Sequence, residues 1–305
     1  MDMRHFLHVF DLTPDEITHL LDEATRLKAD LQRGRREPRL LGWVLGLVFE
    51  KPSLRTRGSF EAAMAQLGGA SIFLPSSEVG FGSRESVPDF ARAMSQYVDA
   101  VVLRTFRHQT VEAFAAHSVC PVINGLSDQA HPCQALADLL TLREVFGDVA
   151  GRTVAFVGDG NNVARSLAVG CGKLGARFVL AAPKDYLFDE EFLQTLRREA
   201  PHGELVLTSD PVQAVREADV IYTDVWTSMG QEAERAVRLQ HFKDYQLNAA
   251  LLAKAPASAR VMHCLPAHRG EEITDEVLDG ERSLVFRQAG NRLHVQKALL
   301  LWLLS

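Results

Sequence analysis

Residues Ser53 to Arg57 read Ser-Leu-Arg-Thr-Arg, which places two hydroxyls and two guanidiniums within five positions. They follow the apolar run Val44–Phe49 and precede a helical pattern. Lys51 and Pro52 make the turn, and Ser53 caps the helix. A helix N-terminus offers backbone N–H groups and a partial positive charge. With Ser53, Arg55, Thr56 and Arg57 added, it becomes a site for a phosphate or another compact dianion. A lone Ser-x-Arg would read as a capped surface helix with solvated arginines. The crowding of one turn, just beyond a buried-type strand, argues for the anion.

Other residues suit work on a carbonyl or an amine. His131-Pro132-Cys133-Gln134 precedes a helix that begins near Gln134, where imidazole and carboxamide either donate to a carbonyl oxygen or merely cap. Asp224 closes a short apolar run, with Ser228-Met229-Gly230 in the loop after it. A carboxylate and a hydroxyl at that spacing hold an ammonium group, unless Asp224 is only a turn residue. His263-Cys264-Leu265-Pro266 follows another run, where Cys264 is either inert core or a polar partner of a reacting amine. The spacing of His131, Cys133, His263 and Cys264 matches no zinc template. Val154–Asn162 contains Gly158-Asp159-Gly160 and opens like a dinucleotide fingerprint. Val163 stands where the third glycine belongs, and the run Phe178–Ala181 ends in Ala182 and Pro183 rather than an acid. A nucleotide-linked oxidoreductase is therefore the weaker reading.

These residues need elements to position them. Apolar runs at Val44–Phe49, Ser71–Leu74, Val101–Leu103, Val122–Ile123, Thr153–Val157, Phe178–Ala181, Leu205–Leu207, Val220–Tyr222 and Val261–His263 predict strands. Helical patterns lie between them at Ser59–Leu67, Val87–Tyr97, Gln134–Phe146, Val163–Leu174, Glu190–Glu199 and Pro211–Glu217. Thr13-Pro14-Asp15-Glu16 is a capping box opening an earlier helix with Ile17, Leu20, Leu21 and Ala24 on one face. Leu293–Leu304 is a final apolar helix. Such alternation predicts an α/β protein with mainly parallel sheets flanked by helices. At 305 residues two domains are expected. The break Gly147–Gly151 puts the boundary between residues 1–147 and 148–290.

The net charge of −6 leaves no footprint for nucleic acid or an anionic membrane. Leu299–Leu304 is the longest near-candidate for a membrane span and is too short. Asp11, Asp15 and Glu16 interrupt any signal-peptide pattern. Four cysteines (Cys120, Cys133, Cys171, Cys264) show no paired spacing. The expectation is a reduced, cytoplasmic enzyme without disulfides.

Phe49–Glu61, His131–Gln134, Asp224–Gly230 and His263–Pro266, in that order, resemble the motifs of the aspartate/ornithine carbamoyltransferase family, and the similarity runs along nearly the whole chain. The resemblance implies a domain that binds carbamoyl phosphate, completed by residues 291–305 packing back on it, and a second domain for the amine, with the site in the crevice between them. It implies carbamoyl phosphate contacts from Ser53, Leu54, Arg55, Thr56, Arg57, Arg104, His131, Pro132, Cys133, Gln134, Cys264, Leu265 and Arg292. Arg104, His131 and Gln134 would polarise the carbonyl, and Arg104 does close a strand, where α/β sites lie. Cys264 would line the reacting centre beside the amine.

Asp-x-x-x-Ser-Met-Gly is similar to the loop of ornithine-specific members, so Asn162, Asp224, Ser228 and Met229 would hold L-ornithine. The implied reaction carries the carbamoyl group to its δ-amine and releases citrulline and phosphate, in arginine synthesis or breakdown. Putrescine or acetylornithine is the alternative acceptor. No metal or organic cofactor is implied, the loop at Ser228–Gly230 would close over substrate, and a homotrimer with sites at subunit interfaces is expected. One departure stands out. Relatives carry a carbamoyl phosphate-contacting glutamine where this chain has Gly80, in the glycine-rich run Gly80–Ser83, as a mobile loop would be.

Overall fold

The computed structural model describes residues 3–80, 85–227 and 232–304. The chain forms two compact units, Met1–Leu140 with Asn291–Ser305, and Thr141–Gly290.

In the first unit, β1 (Val44–Phe49), β2 (Ala70–Leu74), β3 (Ala100–Arg104) and β4 (Val122–Leu126) form a parallel sheet in the order β2-β1-β3-β4. Its helices are α1 (Pro14–Gln32), α2 (Leu54–Gln66), α3 (Ser76–Val79), α4 (Val87–Met94), α5 (His108–Ala115) and α6 (Pro132–Phe146), the last running past Leu140 into the second unit. β1 and β3 are buried along nearly their full length, which is why they read as unbroken apolar runs rather than alternating ones. The chain steps from β1 outward to β2, then returns to place β3 on the other side of β1. That reversal is a topological switch point, where strand C-terminal ends open a crevice. Ser53–Arg57 follow β1 there, and Arg104 ends β3 beside Phe49. The Glu50 N–H donates to the Arg104 carbonyl at 2.8 Å, and the Glu50 carboxylate accepts from the Phe106 N–H at 2.9 Å, so the two strand ends are laced together.

The second unit repeats the logic. β5 (Thr153–Val157), β6 (Arg177–Ala181), β7 (Glu204–Thr208), β8 (Val220–Thr223) and β9 (Arg260–His263) are parallel in the order β7-β6-β5-β8-β9. Around them lie α7 (Asn162–Lys173), α8 (Glu190–Glu199), α9 (Pro211–Val215), α10 (Arg235–Phe242), α11 (Ala249–Leu252) and α12 (Asp275–Leu278). The switch point falls between β5 and β8, so Gly158–Asn162 and Asp224 emerge side by side.

The predicted strands all form, most of them a residue or two longer. The capping box at Thr13 and Glu16 forms with Pro14 at the first helical position. The terminal helix, α13 (Val285–Leu304), starts eight residues before the predicted Leu293. Gly290 masks its first turns in the sequence pattern because glycine is a poor helix former. From Asn291 onward this helix belongs to the first unit, with Lys28 Nζ donating to Asn291 Oδ1 at 2.7 Å. Among the described residues no helix is long and apolar enough to cross a membrane.

Candidate active site

In the first unit the site begins at the cap. Ser53 is extended, and its Oγ accepts from the Thr56 N–H at 3.2 Å. The N–H groups of Leu54 and Arg55 remain at the open end of α2. The Leu54 side chain is 85% exposed, so any part it plays in binding is through its backbone. Thr56 is buried, and its hydroxyl accepts from Arg292 Nη2 at 2.9 Å. The same guanidinium donates through Nη1 to Gln134 Oε1 at 2.6 Å and lies 3.5 Å from His131 Nε2. Gln134 Nε2 donates to Asp138 Oδ1 one turn further along α6, at 2.8 Å. A guanidinium only donates and a carboxylate only accepts, so the Gln134 amide has one orientation that serves both.

The imidazole of His131 is buried, with Arg292, Arg104 and Arg55 as its nearest charges; burial first, and then those cations, hold its pKa well below the usual histidine range. His131 is therefore neutral at pH 7 and serves as a hydrogen-bonding group, not as a cation. Burial pushes the Cys133 thiol up to about 12, which keeps it protonated and unreactive. Pro132 and Cys133 sit in the first turn of α6.

Ser53, Thr56, His131, Gln134 and Arg292 are thus brought together, with Arg104 and Arg55 close enough to act on His131. Arg57 is not part of this group. Its Nε pairs with Glu61 at 2.9 Å, and its guanidinium lies 3.8 Å over the Phe73 ring. Sequence reasoning missed Asp138 and Glu50. The i to i+4 spacing from Gln134 marks Asp138 as a partner on the same helical face; Glu50 carries no such signal. Gly80 follows α3, and residues 81–84 lie outside the described residues.

In the second unit Asp224 is buried and takes two donors. Asn161 Nδ2 donates to its Oδ2 at 2.9 Å, and the Cys264 thiol donates to its Oδ1 at 2.9 Å. Asn161 also caps α7, accepting from the Val163 and Ala164 N–H groups at 3.0 and 3.1 Å. It is the third residue missed, although an asparagine before a helix is the usual cap signal. Asn162 Oδ1 accepts from the Val163 N–H at 3.0 Å. Ser228 and Met229 lie outside the described residues.

His263 stands behind Cys264. Its Nδ1 accepts from the Leu265 N–H at 2.8 Å, and its Nε2 contacts buried Glu272 Oε1 at 3.1 Å. Both ring nitrogens are engaged, so His263 is a scaffold residue and a poor metal ligand. The Leu265 bond helps hold that residue at φ +57, in the left-handed region a branched side chain avoids.

The dinucleotide-like turn has another use here. The Gly160 N–H donates to the Tyr186 carbonyl at 2.9 Å, and a Cβ at Gly160 would fall 2.8 Å from that same oxygen. The glycine serves close packing of the chain on itself. Asp159 pairs with Arg238 at 2.6 Å, and Arg238 also donates to the Trp226 carbonyl at 3.0 Å. Burial raises the Asp159 pKa, opposed by that guanidinium. The strand after it, β6, ends in Ala181 with Ala182 and Pro183 following, so no acidic residue stands there to meet a ribose.

Two open parallel sheets, each gathering polar side chains at its switch point, define an α/β enzyme scaffold with a basic anion and carbonyl site on one unit and a carboxylate–thiol pair on the other. Residues 4–144 match the carbamoyl-P binding domain, and residues 150–303 the Asp/Orn binding domain, of the aspartate/ornithine carbamoyltransferase family. The chain belongs to that family. It is 50% identical to an ornithine carbamoyltransferase of Bacillus subtilis, over 97% of this chain and 92% of that protein. It is 48% identical to one of Anoxybacillus flavithermus, over 99% and 96%. The solved ornithine carbamoyltransferase of Pyrococcus furiosus superposes with a TM-score of 0.94 at 47% identity, over 97% and 96% of the chains.

Proposed function

We propose that the chain transfers the carbamoyl group of carbamoyl phosphate to the δ-amine of L-ornithine, giving L-citrulline and phosphate, in arginine metabolism. The observation that carries this is the fork of Arg292, which joins Thr56 of the capped helix to Gln134 and His131. It couples a dianion site to carbonyl-facing groups within one unit. Relatives at about half identity named for ornithine favour that acceptor over putrescine or acetylornithine.

Ser53, Arg55, Thr56 and the open N–H groups of α2 hold the phosphate. Arg104, neutral His131 and Gln134 face the carbamoyl oxygen, and Arg104 supplies charge as the oxygen gains it. Arg292 orients Gln134 and Thr56. The neutral δ-amine attacks the carbamoyl carbon, the C–O bond to phosphate breaks, and the departing phosphate takes the proton that the amine nitrogen gives up. Asn162, Asp224, Ser228 and Met229 take the amino-acid end, with Cys264 and Leu265 at the reacting centre. The hydrogen bond from the Cys264 thiol to Asp224 supports a role for that carboxylate near the reacting end as well. Attack of an amine on an activated carbonyl assigns no step to a cofactor; binding both reactants in attack geometry supplies much of the acceleration.

A homotrimer in the cytoplasm completes the proposal. The exposed Leu54 and Ile72, on α2 and on the edge strand β2, support a subunit contact. The deciding assay is citrulline formation from carbamoyl phosphate across an acceptor panel of ornithine, putrescine, acetylornithine and aspartate. Ornithine should lead by orders of magnitude; a preference for another amine would overturn the assignment.

A further inference from the structure

The first unit carries a cluster of ligating side chains apart from the candidate site, on the segment that enters beside β4. Phe6 bridges to Ile123, and this brings His8 against α5. The His8 and His108 rings stand 4.1 Å apart, centroid to centroid. A nitrogen of each and a carboxylate oxygen of Glu112 all lie within 4.8 Å of one another. His108 Nε2 is 4.0 Å from Glu112 Oε1.

His108 is fully buried, and its Nε2 has no hydrogen-bond partner among the described residues. An unpartnered buried imidazole nitrogen is costly and calls for a reason. Its other nitrogen, Nδ1, is fixed on Ser127 Oγ at 2.7 Å. Metal-binding histidines are held in the same way: one nitrogen bonded to an oxygen behind the ring, the other aimed at the ion. The surroundings suit a cation, because Asp11 and Glu112 both act electrostatically on His8. Two neutral imidazoles and one carboxylate are a donor set for zinc or a similar borderline divalent ion, with a position left for water.

We propose that His8, His108 and Glu112 form a binding site for a divalent transition-metal ion, zinc being the best match. The ion would sit on Nε2 of His108 and leave the Nδ1 proton for Ser127 Oγ. It would tie the entering segment to the first residue of α5, four residues after Arg104, and so stiffen the frame that carries this arginine.

The test uses the full-length Cys264→Ser protein, so that the Asp224–Cys264–His263 cluster loses its thiol. Calorimetric titration with Zn2+ should show one site per chain, and Tm should rise by about 2 °C or more under saturating zinc. Adding His8→Ala, or separately Glu112→Gln, should weaken binding at least about tenfold and abolish the Tm shift. Both side chains lie at or near the surface, and circular dichroism verifies their folding. Visible absorption of the Co2+ complex should show a nitrogen and oxygen ligand set that disappears in each variant. Zinc binding with unchanged affinity in both variants, or none in the Cys264→Ser protein, overturns the site.

Discussion

Arg292 links more of the site than any other side chain described, yet in the sequence it is one arginine opening a helical stretch. Its two terminal nitrogens serve Thr56 and Gln134, which are distant along the chain. Arg55 is different: it stands at the open end of α2, and the net charge of −6 provides no basic background to replace it. Arg55→Ala should leave the fold intact and cost about 3 kcal/mol or more of transition-state stabilisation, a loss of roughly two orders of magnitude in kcat/KM. A folded variant within a few-fold of the parent would remove Arg55 from the phosphate site. The nucleophile gives a second expectation. An alkyl ammonium has a pKa of about 10.4, so at pH 7 its neutral form is disfavoured by roughly 3.4 units, about 4.6 kcal/mol. kcat/KM for ornithine should therefore climb about tenfold per pH unit above neutrality, until the amine or an enzyme group titrates. Cys264→Ser should lower the rate and keep the slope. A flat profile from pH 6 to 8 would point instead to an efficient general base outside these assignments.

The strand ends matter at the scale of elements. The register of β3 on β4 shifts between Leu103, which pairs with Asn124, and Arg104, which pairs with Leu126, so Gly125 is the extra residue on β4 beside Arg104. A Cβ on Gly125 would lie 3.0 Å from the Leu103 carbonyl and from Val102 Cγ1, and 3.4 Å from Thr56 Cγ2. Gly125→Ala should destabilise the protein by about 1–3 kcal/mol. It should also lower kcat/KM, because the added methyl presses on both the Arg104 strand end and Thr56. Urea titration and steady-state kinetics on one preparation measure the two effects; normal stability would mean that the strand ends yield easily. Ser53→Ala removes the cap of α2, with an expected cost of about 1 kcal/mol and a larger loss of carbamoyl phosphate affinity.

At the scale of the whole molecule, buried histidines set the response to acid. Burial, and then the neighbouring His8, holds His108 at about 4, and His131, His5 and His8 are lowered as well, burial being the largest cause for each. The unfolded chain takes up these protons near pH 6.5, while the folded protein refuses them until lower pH. Between those values the unfolded state binds more protons, so stability rises with pH and falls on acidification. His108 alone should contribute a loss of order 2–3 kcal/mol between pH 6.5 and 4 in metal-free protein. Urea midpoints at pH 7.0, 5.5 and 4.5 should decline steadily, and His108→Gln should flatten the decline. A midpoint independent of pH over that range would contradict the burial argument.

The sequence by itself determined the elements and the local chemistry. Buried parallel strands must be continuous apolar runs, and a helix start must supply its own cap, so β1 through β9, the Ser53 turn and the capping box at Thr13 were legible from neighbours within a few residues. The motif residues were legible as types for the same reason. The tertiary structure decided which of them meet, because partner choice depends on strand order and on the return of α13, and no local pattern encodes either. It set Arg57 on Glu61 and Phe73, away from the anion site, since two arginines two positions apart on a helix cannot face one way. It brought Asp138 to Gln134, Asn161 to Asp224 and Glu50 to the end of the Arg104 strand, joined Cys264 to Asp224 across two adjacent strands, and gave the Gly158–Gly160 turn to packing rather than to a nucleotide. Those outcomes rest on hydrogen bonds closed between distant segments, which form only once each sheet has fixed the order of its strands.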